Sequence, residues 1–168
     1  MEIALFLLAI LVGSLALASL SLAPWMPTRN KDLEQVDHII NLKPKQIFLE
    51  FGCGTARVSS YIAKKNPDCE IIGIEYSIPL FVYSRIKWKL VPKNMTVQFG
   101  NAFKYPLHTI DVIYTFGMPK TINKPLKKKL LKEMKSAKFV SYVFKIEDRE
   151  ATIHHETKNY SVYVFTKS

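Results

Sequence analysis

Glu50-Phe51-Gly52-Cys53-Gly54-Thr55-Ala56-Arg57 and, further on, Glu75 have the residue types and spacing that could do chemistry in this chain. Ile47, Phe48 and Leu49 form an apolar lead-in to the first group, and Ile71-Ile72-Gly73-Ile74 leads into the second. The pattern reads as strand, glycine-rich turn, helix and strand, with a carboxylate at the end of the second strand. Glycines at 52 and 54 permit positive φ and let backbone N–H groups come close to a ligand, while Glu75 stands where a βαβ unit presents a carboxylate to ribose hydroxyls. The separation from Gly54 to Glu75, about 20 residues, suits such a unit. A dinucleotide fingerprint would need a third glycine at position 57, where this chain has Arg57, so a nucleotide-type ligand is expected and a dehydrogenase disfavoured.

A chain of 168 residues makes one domain with a core between a sheet and two helical layers. Twenty-four Lys and Arg against fourteen Asp and Glu give a formal charge of +10. That balance favours anionic partners, although many of these lysines only solvate the surface. The two cysteines, Cys53 after the first strand and Cys69 before the second, fall at opposite ends of a parallel pair. They are expected to be free thiols, as in a reducing compartment. His108, His154 and His155 lie off the glycine edge or in the terminal hairpin, His38 and Asp37 read as surface residues, and no Cys/His spacing suggests a metal.

The elements that must position these residues follow from periodicity. Residues 3–23 are uncharged and apolar or small, about 30 Å as a helix, which predicts one uncleaved membrane span. Basic residues follow the span and none precedes it, so the body is expected on the cytoplasmic side. Residues 1–23 are thus the anchor and 24–168 the catalytic domain. Pro24-Trp25-Met26-Pro27-Thr28 is stiff and extended, and Thr28 or Asn30 is expected to cap a helix running to about Leu42. Strands are predicted at 46–51, 69–75, 95–99, 110–116 and 139–146, and helices at 57–65, 79–90 and 124–134. In the helix at 79–90, Leu80, Tyr83, Ile86 and Lys87 share a register. Residues 151–157 and 160–166 predict a closing antiparallel hairpin. The fold class is α/β: a Rossmann-like, mostly parallel sheet with a C-terminal antiparallel hairpin, carrying its ligand at the carboxyl ends of the strands. Glu50, Gly52, Gly54, Glu75, Asn101 and the stretch from Phe116 to Pro119 all fall on that edge.

Glu50 to Ala56 resembles the first motif of class I (seven-β-strand) S-adenosylmethionine-dependent methyltransferases. The closer resemblance is to the ATP synthase c-subunit lysine N-methyltransferase family and to archaeal broad-specificity protein lysine methyltransferases. It rests on Pro24-Trp25-Met26-Pro27-Thr28, the glycine motif, Glu75 with Pro79-Leu80-Phe81-Val82-Tyr83-Ser84-Arg85, and Phe116-Gly117-Met118-Pro119. The resemblance implies S-adenosyl-L-methionine as cofactor. Glu50, Gly52 and Gly54 would cradle its methionine part, Glu75 its ribose and Asn101 its adenine, while Trp25 and Thr28 would close over it. It also implies a protein lysine as acceptor; the anchor, which leaves the site little reach, would place that lysine on a membrane or membrane-proximal protein. Aromatic faces in an apolar channel would suit the sulfonium and the alkylammonium. Trp25, Phe116 and Tyr142 are the candidates for those faces. No general base is identified. The absence of an Asn/Asp-Pro-Pro-Tyr/Phe motif after the fourth strand disfavours DNA-adenine methylation, and nucleic acid is not an expected partner. Residues 124–138, rich in lysine, could meet anionic lipid. Two other readings stand beside this one: a small-molecule or lipid methyltransferase, and a non-catalytic membrane-tethered module that binds the cofactor or an anion.

Overall fold

The computed structural model describes residues 27–89, 92–156 and 160–166, together with Glu2, Leu5, Phe6, Leu8, Ala9, Val12 and Gly13. Seven strands form one sheet: β1 (Ile47–Phe51), β2 (Glu70–Glu75), β3 (Met95–Phe99), β4 (Val112–Thr115), β5 (Lys138–Tyr142), β6 (Ile153–Glu156) and β7 (Ser161–Thr166). The spatial order is β3-β2-β1-β4-β5-β7-β6. Strands β1 to β5 are parallel, and β7 runs antiparallel to both β5 and β6. Strand order reverses between β1 and β4, which opens the crevice at the carboxyl edge where open α/β sheets bind ligands.

Both faces of the sheet are covered, which explains why its central strands are apolar without alternation. In β1, Phe48 joins the core beneath helices α1 (Leu33–Ile40) and α2 (Arg57–Lys65), with Val36, Ile40, Val58 and Ile62. Its neighbours Leu49 and Phe51 face the other side, against Leu126, Leu130 and Phe139. Each fully buried side chain of this kind contributes about 1.5–3 kcal/mol. Helix α3 (Ile78–Lys87) crosses from β2 to β3. A helical segment opened by Pro119–Thr121 passes through a π-turn at Ile122–Leu126 and continues as α4 (Lys127–Glu133).

Three expectations change, and the structure adds the direction of one helix. Neither Thr28 nor Asn30 caps the first helix: Asn30 lies in a 3-10 turn (Asn30–Asp32), and the Thr28 hydroxyl is engaged elsewhere. The fifth strand stops at Tyr142 because Val143 takes a left-handed backbone, φ 75°. The lysine-rich helix begins earlier than residue 124, through the π-turn that accommodates Pro125. In α3, Tyr83 and Ile86 point outward, and Ser84 is its one buried residue. Cys53 and Cys69 are free and buried, as the strand geometry implied. The segment expected to span a membrane, 3–23, lies mostly outside the described residues. Among those described, no helix is long and apolar enough to cross one.

Candidate active site

The turn between β1 and α2 has left-handed backbone at Gly52 (φ 68°), Gly54 (φ 56°) and Ala56 (φ 53°). At Ala56 this conformation costs about 1–2 kcal/mol, which a third glycine would avoid. Two carboxylates hold the turn. Glu75, buried at the end of β2, accepts from the Gly54 N–H through Oε2 (2.6 Å) and from the Ser77 N–H through Oε1 (2.7 Å). Each of its oxygens therefore keeps a second lone pair, the acceptor chemistry a ribose diol requires. Burial raises the Glu75 pKa, and the N–H donors from Ser77 and Gly54 hold it back.

Glu50 is used inside the protein. Its Oε2 accepts from the Ser59 N–H (2.9 Å) and the Ser59 hydroxyl (2.6 Å), fixing the first turns of α2. Burial pushes its pKa up to about 8 against the lowering effect of those hydrogen bonds. The glycine turn is tied down further by Trp88, whose Nε1 donates to the Thr55 carbonyl at 2.8 Å. Gly73 leaves room beneath it: a Cβ there would sit 2.9 Å from Cys53 Sγ and 3.1 Å from Ser59 Oγ. Asn101 follows β3, and its Oδ1 accepts from the Phe103 N–H at 2.9 Å, leaving its amide group for a ligand.

The N-terminal segment reaches this edge at Thr28. Its hydroxyl shares a 2.8 Å hydrogen bond with the Tyr114 phenol of β4, and its carbonyl accepts from Arg57 Nη2 just after the glycine turn. Trp25 lies outside the described residues. Beside Thr28 stands a cluster at the carboxyl edge of β4 and β5. The rings of Phe116 and Tyr142 meet edge to face at 4.9 Å, and Tyr142 lies 5.1 Å from Tyr160. Asp32, buried, accepts from the Tyr142 hydroxyl and from Arg29 Nε, both at 2.6 Å. The Tyr142 pKa is raised far above its ordinary value, by burial first and then by Asp32. The Arg29 guanidinium lies over the Tyr160 ring at 5.1 Å, so the cluster already seats one cation.

The structure thus gathers Glu50 of β1 and Glu75 of β2 around the turn that holds Gly52 and Gly54, brings Thr28 to its border, and pairs Phe116 with Tyr142 a strand away. Sequence reading missed Asp32, Arg57, Trp88 and Tyr114. Of these only Arg57 had a local signal, its place directly after the glycine motif. Arg57 Nε and Ser77 Oγ are buried without a hydrogen-bond partner. Both flank the turn, and a buried donor left unpaired is costly enough to demand an acceptor. A ligand carrying a carboxylate and hydroxyl groups, as S-adenosylmethionine does, supplies such acceptors, so the residues present fit that cofactor. Among the described residues, no group of His, Cys, Asp and Glu could hold a metal ion. Three lysines in the stretch expected to meet lipid are engaged internally: Lys127 on the Glu147 carbonyl, Lys129 on Glu133, and Lys138 on carbonyls that end α1.

Comparison with known proteins gives concordant results. A family model described as the ANTKMT methyltransferase domain matches residues 50–153. A protein-lysine N-methyltransferase of Saccharolobus islandicus (strain REY15A) is 24% identical over 149 residues, which cover 84% of this chain and 92% of that protein. Among solved structures, an RNA methyltransferase from Salinibacter ruber, in complex with S-adenosyl-L-homocysteine, superposes with a TM-score of 0.77 at 17% identity, over 84% of this chain and 93% of its own. A precorrin-6y C5,15-methyltransferase from Geobacter metallireducens GS-15 gives a TM-score of 0.66 at 13% identity, over 87% and 92%. These two likenesses establish the fold.

Proposed function

The chain belongs to the ANTKMT methyltransferase domain family and is an S-adenosylmethionine-dependent methyltransferase; on that premise we propose that it methylates lysine side chains of a protein. The observation that carries the acceptor is the Phe116–Tyr142 aromatic pair beside buried Asp32, at the carboxyl edge next to the glycine turn. The Saccharolobus relative, a protein-lysine N-methyltransferase along nearly its whole length, supports the same reading.

When bound, S-adenosylmethionine supplies a methyl group on a sulfonium. The chain's own residues align, exclude water and manage charge. Glu75 would hold the ribose through lone pairs not taken by Gly54 and Ser77. The positive-φ turn would bring backbone close to the methionine end, and Arg57, whose Nε has no partner, would offer a donor to an acidic group there. Phe116, partly exposed, would give an incoming alkylammonium an aromatic face, with Tyr142 buried behind it as its support. Asp32 fixes the Tyr142 hydroxyl and so the tilt of that support. Alignment of this kind is the main contribution to an in-line displacement.

We further propose that residues 3–23 anchor the chain with the catalytic domain on the cytoplasmic side. The uncharged run and the basic residues after it support this. The substrate is then a membrane or membrane-proximal protein. Incubating the full chain with radiolabelled S-adenosylmethionine and membrane extract tests the acceptor. Label on lysine in protein is the expected result, and label confined to lipid or small-molecule fractions rejects it. Resistance of the chain to carbonate extraction tests the anchor.

A further inference from the structure

Helix α3 packs Phe81 on the core beside its one buried residue, Ser84, yet leaves a second apolar row outside: Ile78, Val82 and Ile86, spaced four residues apart on one stripe, are 45%, 45% and 72% exposed. Tyr83 beside the stripe is 49% exposed. An exposed aliphatic row of this length on a helix is unusual unless something covers it.

The charges around the stripe say what that is. Arg85, Lys87, Lys89 and Lys93 follow in quick succession, and no acidic residue occurs between Glu75 and Asp111. Arg85, Lys89 and Lys93, with Trp88 and Met95, line a recess of about 190 Å³ at the end of the helix. The Lys87 ammonium lies over the Tyr83 and Trp88 rings at 5.3 and 5.2 Å. Aliphatic side chains beside a cationic, aromatic-rimmed recess are the two halves of an interfacial membrane helix: acyl chains take the stripe and anionic head groups take the cations. Single-stranded RNA would satisfy the cations and stack on the rings but would leave Ile78, Val82 and Ile86 in water.

We propose that α3 is a docking face for an anionic phospholipid surface. The stripe starts three residues after Glu75, so docking lays the cofactor edge beside the head groups and presents the acceptor site to proteins at that surface. The face is independent of residues 3–23, and it lies on a different helix from the lysine-rich α4, where Lys127 and Lys129 are engaged internally.

The test uses the full chain with Ile86→Cys carrying an environment-sensitive fluorophore; Cys53 and Cys69 are buried and do not compete. Lys132→Cys on exposed α4, labelled in the same way, is the control. With phosphatidylcholine vesicles containing phosphatidylserine, the label at position 86 should shift to the blue, become quenched by lipid-borne nitroxide and escape aqueous iodide. With pure phosphatidylcholine it should stay in water, even where the chain is anchored. Changing Arg85, Lys87, Lys89 and Lys93 to Gln should weaken the response by roughly fivefold per cation. The control should stay aqueous throughout. Continued iodide access at position 86 with anionic vesicles overturns the proposal. So does a blue shift without vesicles, which would mean that the chain or a second copy covers the stripe, and so does protection by single-stranded RNA alone.

Discussion

The two halves of the carboxyl edge are held by different means. On the cofactor side, β1, β2 and α2 fix the glycine turn through backbone donors on two carboxylates, Glu75 on Gly54 and Ser77, and Glu50 on Ser59. On the side proposed for the acceptor, β4 and β5 are tied to the N-terminal segment through phenols, Tyr114 to Thr28 and Tyr142 to Asp32. The first half is short-range and rigid, since its partners lie 2 to 21 residues apart. The second joins residues 86 and 110 apart by one hydroxyl each. Cofactor binding and acceptor positioning should therefore fail separately.

The largest expected effect is at Glu75. Glu75→Ala removes the carboxylate proposed to hold the ribose, where charge-assisted bonds are worth about 1.5–3 kcal/mol each, and also frees the Gly54 and Ser77 N–H groups. S-adenosylhomocysteine affinity should drop by roughly 100-fold or more in calorimetry. Retained affinity would show that the ribose sits elsewhere.

Glu50 comes next and carries a pH signature. Its folded pKa, about 8, lies above the ordinary 4.5. The protonated form is therefore favoured in the folded state, so its contribution to stability is full below about pH 4.5 and is lost as pH rises towards 8. Denaturant unfolding of the cofactor-free protein should show stability falling across that window, by on the order of a few kcal/mol. Glu50→Gln should flatten the slope. An unchanged slope in the variant would assign the pH dependence to another group.

Gly73→Ala should cost about 1–3 kcal/mol, because its Cβ meets Cys53 Sγ at 2.9 Å and Ser59 Oγ at 3.1 Å. Ser59 transmits the displacement to Glu50, so the cofactor should bind more weakly as well. A melting temperature within error of the parent would mean that the turn yields more freely than its hydrogen bonds imply.

This contrast also explains what was legible in the sequence. The glycine turn, Glu75 and the succession of strands and helices along the chain follow from local period and from turn residues, signals contained within short windows. The hairpin was visible for the same reason. Asp32 was not, because nothing within ten residues of it says that a tyrosine 110 positions later will donate to its carboxylate. The expected cap at Thr28 failed for a related reason: its hydroxyl had a distant partner, and tertiary contact overrode the local preference. In α3 the spacing put Leu80, Tyr83, Ile86 and Lys87 in one register, but periodicity gives a register and not the direction in which each side chain points. Only burial shows that the face with Ile86 looks outward.

The smallest predicted effect separates the two halves most cleanly. Asp32→Asn keeps an acceptor and the side-chain volume but weakens the bond to Tyr142 and releases Arg29 from its ion pair. A hydrogen bond of this kind is worth about 0.5–1.5 kcal/mol, so methyl transfer to lysine should slow by roughly three- to tenfold. S-adenosylhomocysteine affinity should stay at the parental value, because no carboxylate or backbone donor of the glycine turn touches Asp32. Phe116→Leu, which removes the ring that meets Tyr142 at 4.9 Å, should raise the KM for the protein substrate and again spare the cofactor. If either variant lost cofactor affinity in proportion to activity, the two halves would be one coupled unit, and Thr28, bonded both to Tyr114 and to Arg57, would be the residue coupling them.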